Sequence, residues 1–400
     1  MKLFLSDCIF TAGETYPEPI SGFILENAGR IVLIEEGKPP QHFVNFADDV
    51  VDARGKVIVP GFVDAHTHLV HGGSRENELA MKLAGKSYME IHEVGGILST
   101  VRATREATEQ ELIDKALKSL RIMLKNGTTT VEAKSGYGLD LETELKSLKV
   151  ANKLNKLQPI EIVSTYMGAH ATPPEFDNID DYLDYMIDRV LPEVKKQNIA
   201  EFVDAFCEKG IFSVEQTRRV LQAAKDLGFK IKIHADEIVS FGGAELAAEM
   251  GAVSAEHLMA VSDQGIKDMA ESGTVAVLLP ATSFFLMSAN YAPAKKMLEA
   301  GVCVAIATDY NPGSSPTENI QQAMWNACFK MKLSPMEIFR AVTINAAKAI
   351  CREHIVGSLE KGKQADILVL DAPNLEYALY HFGVNSVRQV WKHGKKVFEI

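Results

Sequence analysis

The chain has 400 residues, a formal net charge of −11 and an apolar share of 46 %, so it is too long for one small core and calls for a large domain with a lesser one beside it. The acidic balance, with no basic stripe to overrule it, argues against a nucleic-acid partner, and no stretch approaches the roughly 18 apolar residues of a membrane span. Five scattered cysteines (Cys8, Cys207, Cys303, Cys328 and Cys351) without a CxxC pair, and an N-terminal apolar stretch too short for a signal peptide, predict a soluble protein of the reducing cytoplasm.

Residues 1–56 read as short strands and turns, with a polar stretch at Glu35–Pro40. From residue 57, eight apolar, β-branched runs alternate with helical patterns: 57–65, 128–133, 160–167, 200–207, 230–235, 252–256, 274–279 and 302–307. Between them, Thr108-x-x-Glu111 and Ser213-x-x-Gln216 have the form of capping boxes. Gly127 and Gly228 fall where helix-ending glycines belong. Eight such units predict a (β/α)8 TIM-type barrel over 57–354, with its active site at the C-terminal strand ends. A doubly wound open sheet is the alternative, but no GxGxxG follows an early strand. Residues 363–400 return to short strands, with a hairpin pattern around His393-Gly394. Neither end alone could bury a sizeable core, so 1–56 and 355–400 are expected to combine in one small β-sandwich.

His66-Thr67-His68 closes the first run. Residues two apart on a strand share a face, so both imidazoles can reach one cation; alone, such a pair is a weak signal. His234 ends the fifth run, where a lone histidine is more often a hydrogen-bonded core residue. Asp309 follows the eighth, where it serves equally well as a turn-initiating residue before Pro312. Strands one and eight adjoin when a barrel closes, and strand five lies across the lumen. Ligands from those three ends therefore converge at the mouth. Three imidazoles and one carboxylate suit one zinc or iron ion, divalent or trivalent, with a position left for water.

Glu237, three residues beyond His234, is placed to orient that water and carry its proton to a leaving nitrogen, unless it is an ordinary loop glutamate. His257 ends the sixth run and could polarise a substrate oxygen, hold the water or act as a further metal ligand. Arg75 offers a bidentate fork for a carboxylate. Tyr137 and His170, after the second and third runs, stand where substrate contacts belong, although each singly reads as loop structure. Lys134 raises the alternative of a carbamylated lysine bridging two metals. Such a lysine belongs nearer the fourth strand, and one metal is the reading taken.

These residues and their surroundings resemble the amidohydrolase superfamily. The likeness lies in Pro60-Gly61-Phe62-Val63-Asp64-Ala65-His66-Thr67-His68, Gly72-Gly73-Ser74-Arg75-Glu76, Glu132-Ala133-Lys134-Ser135-Gly136-Tyr137-Gly138, Gly168-Ala169-His170, Phe206-Cys207-Glu208, His234-Ala235-Asp236-Glu237 and Thr308-Asp309-Tyr310-Asn311-Pro312-Gly313-Ser314. It runs nearly end to end. The Gly-Gly-Ser-Arg, Lys-Ser-Gly-Tyr-Gly and Asn-Pro-Gly blocks resemble the branch that hydrolyses 4-imidazolone-5-propanoate to N-formimidoyl-L-glutamate in histidine degradation. The resemblance implies metal ligation by His66, His68, His234 and Asp309, and assistance to the attacking water by Glu237 and His257. It implies substrate contacts from Arg75, Tyr137, His170, Glu237, Asn311, Gly313 and Ser314, and a homodimer. His71 and Ala281 depart from the pattern and bear on pocket shape. A nucleobase deaminase of the same superfamily is the nearest rival, and a non-catalytic scaffold barrel the rival of another class. The first has less use for Arg75 with Tyr137, and the second should have lost ligands.

Overall fold

In the computed structural model, which describes residues 1–86, 90 and 95–400, the strands fall into two eight-stranded sheets. The N-terminal side supplies β1 (Lys2–Ile9), β2 (Ile20–Asn27), β3 (Arg30–Glu36), β4 (Asp49–Asp52) and β5 (Val57–Pro60). The barrel strands follow: β6 (Phe62–Asp64), β7 (Thr128–Lys134), β8 (Glu161–Ala169), β9 (Phe202–Cys207), β10 (Lys230–Ala235), β11 (Ser254–His257), β12 (Val275–Leu278) and β13 (Val304–Ile306). The chain then returns to the first sheet with β14 (Ile367–Leu370), β15 (Val387–Lys392) and β16 (Lys395–Glu399).

The run 57–65, expected as one barrel strand, divides at Gly61. Val57–Pro60 pairs with β1 and β14 in the terminal sheet, whereas Phe62–Asp64 pairs with β7 in the barrel. A Cβ on Gly61 would lie 2.2 Å from Thr129 Oγ1, so the crossing between sheets leaves no room for a side chain. An apolar run does not reveal that its two halves pair with different partners, which is why the sequence reading merged them.

Both termini do build one sheet, ordered β16-β15-β14-β5-β1-β2-β3 with β4 on β1. It folds over its own core: β15 lies three strands from β1, roughly 14 Å at ordinary strand spacing, yet the rings of Phe4 and Trp391 stand 5.0 Å apart. The hairpin expected at His393-Gly394 joins β15 to β16. Both residues take positive φ (48° and 66°), the backbone a two-residue turn of matching twist needs.

β6 to β13 run parallel in sequence order, and the circle closes beyond the strand ends through a parallel bridge between Thr67 and Tyr310. The amide of His68 donates to Tyr310 O at 2.8 Å and that of Asp309 to His66 O at 3.0 Å. Outside the wall, the helix Glu109–Lys125 starts on the expected capping box at Thr108 and buries Leu112, Ala116, Leu120 and Met123 against Val131 and Ala133 of β7. Ser213 and Gln216 cap Val214–Asp226 in the same way; each cap stabilises its helix by about 1 kcal/mol. No helix among the described residues is long and apolar enough to cross a membrane, and all five cysteines are free.

Candidate active site

The bridge that closes the barrel also aims the first two imidazoles. Thr67 turns its hydroxyl away, donating to Glu132 O at 2.6 Å, so His66 and His68 on either side share the opposite face. Both are buried, with ring centroids 5.5 Å apart; His234, from the end of β10, lies 4.6 Å from His66 and 5.7 Å from His68. Asp309 Oδ1 stands 3.3 Å from His66 Nε2 and 3.7 Å from His68 Nε2. One ligand atom from each of His66, His68 and Asp309 falls within 4.8 Å of the others, and so does the set His66, His234 and His257. Both ring nitrogens of His66 and of His234, and Nδ1 of His68, are buried and make no hydrogen bond of ordinary geometry among the described residues. Uncompensated buried nitrogens are costly, and a divalent cation is a partner of the right chemistry for this nitrogen and oxygen set.

Burial disfavours charge on His66, but the Glu256 and Asp309 carboxylates together outweigh it and raise the imidazole to about 9. Burial likewise opposes ionisation of Asp309, and the adjoining His66 and His257 with the Thr282 hydroxyl together overcome it, leaving the carboxyl at about 2. The protein thus holds a proton on His66 where a cation can replace it. Three site residues at or just beyond strand ends have left-handed backbone, Asp236 (φ 50°), His257 (φ 73°) and Asp309 (φ 54°). Such conformations in non-glycine residues cluster at functional sites.

Glu237 lies buried in the loop after β10, its Oε1 3.7 Å from His257 Nδ1. Burial, then the negative charge of Asp309, pushes its carboxyl up to about 8, the range in which a group can both take and give a proton at neutral pH. The loop is braced from below. Asp236 accepts from the amides of Phe241, Gly242, Gly243 and Ala244, and Glu208 accepts from Ile238 N at 2.8 Å. His257 and His170 are both held near 3, burial being the main cause, so each is a neutral imidazole.

One small pocket opens over this cluster, lined by His68, Arg75, Tyr137, His170, Glu237, His257, Asp309, Asn311 and Ser314, with Ile97, Phe206 and His234. Its empty volume, open mouth included, is about 360 Å³. His170 stacks on His68 at 4.9 Å with 15° between planes, held by Nδ1 against Gly136 O at 2.9 Å. Arg75 is gripped by Glu78 through Nε–Oε1 (2.7 Å) and Nη2–Oε2 (2.9 Å).

Among the residues expected to touch substrate, Asn311 is engaged in shaping its own loop. Its Nδ2 donates to Asp309 O at 2.7 Å, and its Oδ1 accepts from the amides of Gly313 (2.8 Å) and Ser314 (2.7 Å). Gly313 serves as the floor under Arg75: a Cβ there would sit 2.1 Å from Nη1. His71 lies beside the site, with Nδ1 2.9 Å from His68 O and its ring against Tyr137 and Tyr310; Ala281 is buried next to Thr282, whose hydroxyl donates to Asp309 Oδ2 at 2.7 Å.

Lys134 answers the carbamate question. Its Nζ is ringed by Asp204 (2.7 Å), Glu256 (2.9 Å) and Glu132 (3.0 Å). Despite burial, these carboxylates raise the amine above its ordinary value, so it is an ammonium ion, and a carbamate there would face three like charges. The sequence reading missed Asp204, Lys232, Glu256 and Glu78. The first three leave a signal, charged residues alternating with apolar ones in strands otherwise read as buried, which places them on the lumen side. Glu78 leaves none.

An eight-stranded parallel barrel with a His/Asp cluster at its C-terminal mouth defines a hydrolase of the metal-dependent barrel class. The chain accordingly matches the model of the amidohydrolase family over residues 57–397. It is 64 % identical over its whole length to an imidazolonepropionase from Treponema denticola, covering 98 % of that protein. It is 57 % identical over 95 % of its length to one from Fusobacterium nucleatum, covering 92 %. The chain belongs to the amidohydrolase family and, within it, to the imidazolonepropionases. Solved structures share the fold at low identity: a 5-methylcytosine deaminase from Klebsiella pneumoniae has TM-score 0.78 at 18 % identity, covering 100 % of this chain and 97 % of that one. A zinc-containing adenosine deaminase from Xanthomonas campestris has TM-score 0.73 at 20 % identity, covering 99 % and 92 %.

Proposed function

We propose that the protein hydrolyses 4-imidazolone-5-propanoate to N-formimidoyl-L-glutamate, with zinc or iron held by His66, His68, His234 and Asp309. The observation that carries the reading is the 64 % identity to an imidazolonepropionase over the full chain. The pocket supports it, because one arginine fork stands beside the His/Asp cluster, as a small ring bearing a propanoate requires. An ion so held supplies Lewis-acid chemistry, making water acidic enough to yield hydroxide near neutral pH.

The chain's own residues do the rest. Arg75 binds the propanoate and sets the ring carbonyl over the cluster. Glu237 takes the proton of the attacking water as its oxygen adds to the carbonyl carbon. When the ring carbon–nitrogen bond breaks, Glu237 returns that proton to the departing nitrogen, leaving a formimidoyl group and a carboxylic acid that ionises by releasing its proton to solvent. His257, neutral and 3.7 Å from Glu237, hydrogen-bonds the water or the carbonyl oxygen. Tyr137 and His170 wall the ring, and the Asn311–Ser314 loop closes the far side. The free thiols suit a cytoplasmic enzyme, and a homodimer completes the reading. Turnover of the freshly generated substrate, with metal assayed on the same sample, tests it.

A further inference from the structure

Beneath the cluster the lumen holds five charged side chains that the reaction above does not use, all fully buried. Lys134 contacts Asp204, Glu256 and Glu132 at 2.7–3.0 Å. Lys232 Nζ lies 2.9 Å from Glu132 Oε2 and 3.0 Å from Glu256 Oε1. Two lysines are thus shared among three carboxylates, and Glu132 and Glu256 are equivalent in that each bridges both ammonium groups. They differ in what lies above. Glu256 Oε2 is 2.5 Å from His66 Nδ1, and Asp204 Oδ2 is 3.0 Å from His234 Nδ1, whereas Glu132 pairs with no imidazole among the described residues and takes the Thr165 hydroxyl at 2.5 Å.

We propose that Glu256 and Asp204, clamped by Lys134 and Lys232, are positioning residues of the metal site: they engage Nδ1 of His66 and His234 and so leave Nε2 of both rings for the ion. The inference rests on the metal reading under Proposed function. A carboxylate on the far nitrogen of a ligating imidazole fixes ring orientation and tautomer and raises its basicity. A carboxylate free to swing could do neither, and the two ammonium groups remove that freedom.

The near-symmetry of Glu132 and Glu256 supplies the test. Metal-free wild-type, Glu256→Gln and Glu132→Gln proteins are titrated with zinc against a chromophoric chelator, with thermal unfolding of each metal-free protein in parallel. Both substitutions remove charge from the same lysine pair, so both move Tm. Zinc affinity should fall about 10–100-fold in Glu256→Gln and stay within about threefold of wild type in Glu132→Gln. Asp204→Asn, acting through His234, should follow Glu256→Gln, and it carries the comparison if Glu256→Gln does not fold. Equal zinc affinities in the Glu256→Gln and Glu132→Gln proteins, with wild type binding zinc, would overturn this inference alone. Wild type that binds neither zinc nor ferrous iron in the same titration would overturn the metal reading and this inference with it.

Discussion

Arg75 and Glu78 grip each other through two parallel hydrogen bonds of 2.7 and 2.9 Å at the edge of the pocket proposed to take the propanoate. The bidentate edge of the guanidinium is therefore occupied in this state, and a substrate carboxylate must share it or displace Glu78. A charge-assisted pair of this kind contributes about 1.5–3 kcal/mol. Arg75→Ala should lower kcat/KM about 10–100-fold, mostly through KM, with metal content unchanged. Steady-state kinetics beside metal analysis checks this, and an unchanged KM would remove Arg75 from substrate binding.

Gly313 lies against the same guanidinium, and its missing Cβ leaves the space that Nη1 fills. Because Glu78 pins Arg75, the side chain cannot retreat without breaking its pair. Gly313→Ala should raise KM several-fold while kcat and metal retention hold. If Gly313→Ala left KM at the wild-type value, the guanidinium would have room that the geometry denies it.

Glu237 touches no residue of the proposed ligand set as a partner, yet its carboxyl is raised to about 8 by burial and by Asp309. As the proton carrier, it should be worth about 10²–10⁴ in rate. Glu237→Gln should keep its metal and lose kcat by that factor. Loss of metal instead would make Glu237 a ligand.

His66 at about 9 predicts that metal uptake displaces a proton at neutral pH. The sign follows from competition: below pH 9 the imidazole must shed its proton before the ion binds, so affinity falls as pH falls. Zinc affinity should rise about tenfold per pH unit for that one proton between pH 7 and 8.5, levelling towards 9. Calorimetry in two buffers of different ionisation enthalpy should show at least one proton released at pH 7.5. Uptake without proton release would mean that His66 is neutral before the metal arrives.

The barrel and the convergence of His66, His68, His234 and Asp309 at its mouth were legible in the sequence because both rest on local pattern. Eight β-branched runs mark strands, and His66, His68, His234 and Asp309 end runs whose order fixes their place around the circle. What could not be read depends on pairing between distant segments. The break at Gly61 follows from Thr129 packing against it. That Asn311 Oδ1 also holds the backbone turn at Gly313 and Ser314 follows from the conformation of its loop, which the residues alone do not spell out. The Arg75–Glu78 pair is set by a short turn and the wall it meets, and spacing alone gives no hint of it.

Turnover of freshly generated 4-imidazolone-5-propanoate, followed as loss of its ultraviolet absorbance with metal content assayed on the same sample, tests the central claim most directly. The account predicts N-formimidoyl-L-glutamate formation that stops on chelation, returns with added zinc or iron, and is absent from a His234→Ala protein that no longer retains metal. Full metal occupancy without turnover of this substrate would contradict it.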